Sequence, residues 1–231
     1  MNEVTILSGG AAHGLVRALS PDFEQQHGCR ISGEFGAVGA MRGKLEGGQP
    51  TDMLILTRSI IDDLAKSGLV DGDTIRDVGR VASSVAVRAG EAIPDIETAE
   101  DLKRLLLAAD EIYFPDPALA TAGIHFANVL SKLGIAAAVS SRIRVFPNGA
   151  TAMRHLGQST APSAIGSTQV TEILTEEGVS LVGPLPPGCE LVTVYTAAVC
   201  TGARAPDLAR ALIERLTSDE TGEQRQLAGF A

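Results

Sequence analysis

The sequence predicts an α/β protein built on parallel strands. Three observations lead there. Short strand-like runs alternate with stretches whose apolar residues recur at helical spacing, the order that lays helices on the faces of a parallel sheet. One run, MLIL at residues 53–56, is apolar without alternation, as a strand buried on both faces requires. Small-residue bends stand repeatedly between a strand and the helix that follows it.

Taken in order, residues 4–7 read as a strand. A helix follows over 12–26, with Leu15, Leu19 and Phe23 on one face. His27-Gly28 closes it, because glycine suits the left-handed position after a helix and a histidine there favours the dipole. Strand 30–35, helix 39–46, strand 53–56 and a helix over 59–66 stopped by Gly68 come next. Residues 81–88 alternate as a strand. Thr98 and Asp101 have capping-box spacing, so 99–108 is a helix. Strand 111–114 ends at Pro115, and helix 122–133 ends at Gly134. Segments 142–146, 150–156, 164–167, 170–176 and 179–182 continue the alternation. GPLPPG at 183–188 is a rigid connector, 191–199 an apolar strand, and helices near 206–216 and 219–227 close the chain. No internal repeat, low-complexity segment or shift in composition marks a domain boundary.

Length and composition narrow the function. At 231 residues the chain can bury a substantial core in one large domain or two small lobes. Aromatics are 3% with no Trp, which argues against a site that stacks bases or sugar rings. A net charge of −9 with no basic stripe argues against nucleic acid. A small anion is still admissible, since local backbone dipoles outweigh distant screened charges. Cys29, Cys189 and Cys200 stand far apart, without metal-ligand spacing and in an odd number, which fits a reducing compartment. No metal or cofactor is expected. The first residues already read as a strand, no basic and apolar leader precedes them, and no apolar run approaches membrane-spanning length. The chain as given therefore reads as cytoplasmic, and as periplasmic only if a leader was removed; membrane insertion is not expected.

Two glycine motifs fail on inspection. GAMRGKL at 39–45 is one residue short of a P-loop and has Leu45 where a Mg²⁺-binding hydroxyl is needed. SGGAAHG at 8–14 is not G-x-G-x-x-G. What remains is general: the bends at Gly9-Gly10, Gly36 to Gly39, Thr121-Ala122-Gly123 and Asn148-Gly149-Ala150 each precede a helix. Helix N-termini offer unpaired N–H groups and positive partial charge, and small residues let an anion approach them. A tight strand-to-helix turn explains any one of these bends alone; four together favour a site. Candidate ligand-binding residues are Gly10, Ala11, Ala37, Val38, Thr121, Ala122, Gly149 and Ala150. Ser167 and Thr168 join them because they follow a strand and can present hydroxyls, although capping a helix explains them equally well. His13 and His125, each near the start of a helix behind a small-residue loop, are candidate catalytic bases. His155 reads as a surface residue and Asp116 as a turn residue.

The stretch GAVGAMRGKLEGGQPTDMLIL at 36–56 resembles the second anion loop, helix and third strand of the molybdate-binding protein family, matching it at Gly36, Gly39, Arg42, Gly47, Pro50 and Asp52. ALSPDFEQQHG resembles the family's first helix, and LVGPLPPGCELVTVYTAAV its return strand. The resemblance implies a two-lobed type II periplasmic-binding-protein fold with mixed, mainly parallel sheets. Lobe 1 would comprise residues 1–82 and 193–231, and lobe 2 residues 83–192, with a small anion clamped between them. Where molybdate binders present serine hydroxyls in the first two loops and a later tyrosine, this sequence has Ala11, Ala37 or Val38, and Ser167. Lost hydroxyls cost a tetrahedral oxyanion on the order of 1 kcal/mol each, so a carboxylate is favoured over molybdate. A transport receptor meets its transporter partner outside the cytoplasm, so the missing leader argues against that partner. The same fold group is similar to aconitate isomerase, which shifts a double bond in a tricarboxylate. The alternative reading is therefore a cofactor-free isomerase of a di- or tricarboxylate, with His13 or His125 as base.

Overall fold

The computed structural model describes residues 2–231. In chain order the elements are β1 (Asn2–Gly9), α1 (His13–His27), β2 (Cys29–Gly36), α2 (Val38–Glu46), β3 (Met53–Thr57), α3 (Arg58–Lys66), β4 (Arg76–Arg88), α4 (Ala99–Ala108), β5 (Glu111–Pro115), α5 (Thr121–Lys132), α6 (Ala136–Val139), β6 (Ile143–Phe146), α7 (Gly149–Gln158), β7 (Ala164–Gln169), α8 (Val170–Leu174), β8 (Val179–Pro184), β9 (Val192–Val199), α9 (Pro206–Thr217) and α10 (Gly222–Leu227). The chain divides into two compact units. One is the chain up to Val81 together with Thr193–Ala231; the other is Ala82–Val192.

In the first unit the strand order is β2-β1-β3-β9. β1 pairs in parallel with both β2 and β3, and β9 runs antiparallel to β3. All five β3 residues are buried, so its unbroken apolar run is that of an inner strand. α1 buries Leu15, Val16, Leu19 and Phe23, and ends where Gly28 takes the left-handed conformation at φ 59°. His27 stacks on Phe23, with ring centroids 4.2 Å apart.

In the second unit the order is β4-β7-β5-β6, with β8 on the free side of β4. β5 is parallel to β6 and β7, whereas β4 is antiparallel to β7 and β8. The pleat sends Val85, Val87, Ile112, Phe114 and Ile165 to one face, where they pack with Leu102 and Leu106 of α4 and Phe126, Val129 and Leu130 of α5. Ala86, Tyr113 and Ala164 go to the other face, against Ala152, Met153 and Leu156 of α7. The capping box holds: the Asp101 N–H donates to Thr98 Oγ1, and the Thr98 N–H donates to the Asp101 carboxylate.

Two elements depart from the sequence reading. β4 begins at Arg76, five residues before the expected strand, because only Val78 and Val81 are buried in its first part and Arg76, Asp77 and Arg80 mask the alternation. The single-turn helix α6, AAAV, was not anticipated.

Candidate functional site

In the first unit the candidate residues gather at one end of the sheet. Ser8 stands opposite Phe35 and Gly9 opposite Gly36 in the parallel β1–β2 register, so both strands finish together. The turn after β1 is a 3-10 helix, Gly10–Ala12, and α2 starts at Val38 directly after Ala37. Neither N-cap, Gly9 or Ala37, offers a side-chain hydrogen bond to its helix. What these two helix starts offer a ligand is therefore backbone N–H groups. The side chains are small and packed: Ala11 is 2% exposed, and Ala37 and Val38 are 6% exposed. A Cβ added at Gly9 would stand 2.8 Å from Tyr195 Cε1 and 2.9 Å from Val38 Cγ1, so the valine and the tyrosine close on the glycine from two sides. The nearest native serine, Ser8, is fully buried and donates its hydroxyl to the Gly9 carbonyl at 2.8 Å. His13 lies against Phe35, with ring centroids 4.5 Å apart.

A third helix start was missed by the sequence reading. β3 also runs parallel to β1, and α3 follows it with no intervening loop. Its N-cap, Thr57, makes no cap hydrogen bond; its Oγ1 instead lies 3.3 Å from Ser59 Oγ. The signal was present as a threonine immediately after an apolar strand.

A separate depression of about 590 Å³ lies at the opposite ends of β1 and β3, lined by Thr5, Asp52 and Arg204 among others. Its chemistry is structural. One Asp52 oxygen accepts from the Thr5 N–H and hydroxyl, and the other from the N–H groups of Arg204 and Ala205, which fixes the entry to α9. Burial opposes the charge, but these hydrogen bonds prevail and hold the Asp52 carboxyl below its ordinary range.

In the second unit Thr121, Ala122, Gly149, Ala150, Ser167 and Thr168 all stand at or just beyond the C-terminal ends of β5, β6 and β7, the edge where parallel sheets bind ligands. The two long helices there differ. α7 is already served. Asn148 Oδ1 accepts from the Thr151 N–H at 2.8 Å, and the buried Glu172 carboxylate accepts from the N–H groups of Gly149, Ala150 and Gln169. Thr168 adds its hydroxyl to the same carboxylate at 2.5 Å. Burial pushes the Glu172 carboxyl up, and these donors pull against it. Gly149 has to be glycine, because a Cβ there would collide with Glu172 Oε2 and Thr168 Oγ1. α5, by contrast, begins after Ala120, which supplies no capping side chain. Gly123 in its first turn presses on the Pro115 and Asp116 carbonyls. His125, one turn along, is half-buried and shares a 2.8 Å hydrogen bond between Nε2 and the Cys189 carbonyl. A carbonyl only accepts, so Nε2 carries the proton and only Nδ1 is left to act as a base.

Among the described residues no group of three or more His, Cys, Asp or Glu is arranged to hold a metal ion. Among them, too, no single helix is long and apolar enough to cross a membrane.

Comparison with known proteins finds relatives by sequence and by structure. An aconitate isomerase from a Pseudomonas species is 26% identical over 239 aligned residues, covering 100% of this chain and 88% of that protein. The periplasmic molybdate-binding protein of Azotobacter vinelandii superposes with a TM-score of 0.80 at 14% identity, covering 99% of this chain and 98% of that one. The sulfate-binding protein SubI of Mycobacterium tuberculosis superposes with a TM-score of 0.77 at 19% identity, covering 100% and 86%. The fold is therefore that of the periplasmic binding proteins. The family model for bacterial extracellular solute-binding proteins matches residues 4–231, and the chain belongs to that family.

Proposed function

We propose that this member of the family binds a small di- or tricarboxylate in preference to molybdate, using the helix N-termini that follow its small-residue bends. The observation that carries this reading is the first-unit rim. Ala11, Ala37 and Val38 stand, buried, where the molybdate-binder resemblance calls for hydroxyls, and Ser8 spends its own hydroxyl on Gly9. The backbone N–H groups remain, so affinity for anions in general survives while the contacts specific to a tetrahedral oxyanion are reduced. The similarity to an aconitate isomerase supports a tricarboxylate in particular. Calorimetric titration with molybdate, sulfate, succinate, citrate and trans-aconitate tests the reading. Submicromolar molybdate binding with every carboxylate silent overturns it.

The same similarity favours a second reading, in which the bound carboxylate is isomerised without a cofactor. A base removes a proton from the carbon next to the double bond, and the electron pair shifts through the allylic system into a carboxylate held at helix N-termini. The proton is then returned at the far carbon. His13 and His125 are the candidate bases, His125 through Nδ1 because its Nε2 is held by the Cys189 carbonyl. The chemistry leaves a trace that binding alone does not. In deuterated water an isomerase incorporates solvent deuterium into aconitate, and His13→Ala or His125→Ala should abolish the exchange while leaving binding nearly intact. Absence of exchange in a wild-type protein that binds aconitate returns the chain to the pure receptor reading.

A further inference from the structure

Glu172 lies in the short helix α8 that follows β7 and is 6% exposed. Its neighbour Ile173 packs with Ala152, Met153 and Leu156 of α7, which fixes α8 beside that helix. From there the Glu172 carboxylate reaches the start of α7 and accepts from the Gly149 and Ala150 N–H groups, with the Gln169 N–H and the Thr168 hydroxyl completing its shell. The fit is close. A Cβ at Gly149 would stand 2.0 Å from both Glu172 Oε2 and Thr168 Oγ1.

Capping alone does not account for this. α7 already has a local cap, since Asn148 Oδ1 accepts from the Thr151 N–H. α4 closes its own start within one turn, through Thr98 and Asp101. At α7 the chain instead brings in a distant carboxylate and buries it, which is costly unless donors surround the charge. The contacts it makes there are those that a helix start behind a small-residue bend offers to an anionic ligand.

We propose that Glu172 is an internal ligand: its carboxylate holds the anion position at the start of α7, denies those N–H groups to exogenous anions, and so acts as a specificity-determining residue. A compact tetrahedral oxyanion depends on donors converging on one centre. At α7 it loses the donors and the space, and meets a negative charge in their place. An extended di- or tricarboxylate spreads its charges and can engage the other helix starts. The selectivity role rests on the carboxylate reading above and narrows it, by removing α7 from the helix starts that a ligand uses.

The test compares Glu172→Ala, which empties the position, with Glu172→Gln, which removes the charge but still fills it. Formate, against chloride at equal ionic strength, should raise the thermal midpoint of Glu172→Ala by several degrees and leave wild type and Glu172→Gln unmoved. Where Glu172→Ala is obtained only by refolding, recovery in formate but not in chloride is the same result. Absence of any formate-specific gain overturns the assignment, as does an equal gain in Glu172→Gln. Calorimetry with sulfate and trans-aconitate reads the selectivity. The ratio of sulfate to trans-aconitate affinity should rise about tenfold in Glu172→Ala and stay within about twofold of wild type in Glu172→Gln. An unchanged ratio in Glu172→Ala, or an equal rise in Glu172→Gln, overturns the selectivity role. If wild type binds none of the carboxylates, the carboxylate reading and the selectivity role fall together, while the formate result, which needs no ligand, still decides whether Glu172 is the anion of α7.

Discussion

Glu172 is the most consequential ionisable group in the second unit, and replacing it should be costly in a pH-dependent way. The carboxylate is buried and collects four donors: the Thr168 hydroxyl and the N–H groups of Gly149, Ala150 and Gln169. Glu172→Ala leaves these donors facing a hole. Each orphaned buried donor costs about 1–3 kcal/mol, and water entering the hole recovers part of the sum. Relief of the buried charge offsets more, which leaves a net loss of about 3 kcal/mol. Glu172→Gln keeps one acceptor oxygen but turns an NH₂ toward an N–H, for about 1–2 kcal/mol. The pH dependence has a definite sign. Burial raises the native carboxyl above its unfolded value of about 4.3, so the native state holds the proton more tightly than the unfolded chain does. That contribution to stability is complete below the unfolded value and is lost as pH rises through the native one. The Gln variant lacks the titration. Urea denaturation followed by circular dichroism, repeated from pH 4 upward, should therefore show wild type losing ground relative to Glu172→Gln as pH rises. An Ala variant within about 1 kcal/mol of wild type, or parallel pH profiles for wild type and Gln, refutes the reasoning.

Substitutions at four other positions have expected outcomes. Gly123→Ala drives a Cβ into the Pro115 and Asp116 carbonyls and should cost about 3 kcal/mol or more, whereas Gly43→Ala, inside α2 with nothing within 4 Å, should stabilise by roughly 0.5–1 kcal/mol; thermal midpoints of the two variants should move in opposite directions. Asp52→Asn cannot accept four hydrogen bonds and should cost about 2–4 kcal/mol at pH 7. Because the native Asp52 carboxyl lies below its unfolded value, the deficit should shrink as pH falls through the native value, readable as converging denaturation curves in acid. Val38→Ser places a hydroxyl at the first-unit rim and should shift preference toward molybdate about tenfold by calorimetry; an unchanged ratio of molybdate to citrate affinity counts against the selectivity argument.

What was legible in the sequence is what local physics decides. The five consecutive buried residues of β3 announce themselves because no alternation is needed where both faces are covered. The Thr98–Asp101 box and the Gly28 terminus are set within one helical turn, so spacing alone locates them. The early part of β4 was hidden for the converse reason. Its outward residues are charged, and its two inward valines are too sparse to read as a strand without the partner that buries them.

The site divides along the same line. That small-residue bends would precede helices at the sheet's ligand-binding edge could be read from composition, and the loops after β1 and β2 do stand side by side. What satisfies each helix start could not be read, because the answer lies far away in the chain. α7 is served by Glu172, more than twenty residues on, and His125 is held by Cys189, 64 residues away. An acid in a short helical segment looks like a solvated charge until the fold turns it inward, and a histidine near a helix start looks available until its Nε2 proton is assigned. The remaining difference between α5 and α7 is therefore chemical. Both begin behind a bend of small residues, but α7 carries its own carboxylate while α5 has no capping side chain. A helix that already holds an anion has less to offer another, so of the two long helices at this edge α7 is the one whose first turn is already spent on the protein's own carboxylate.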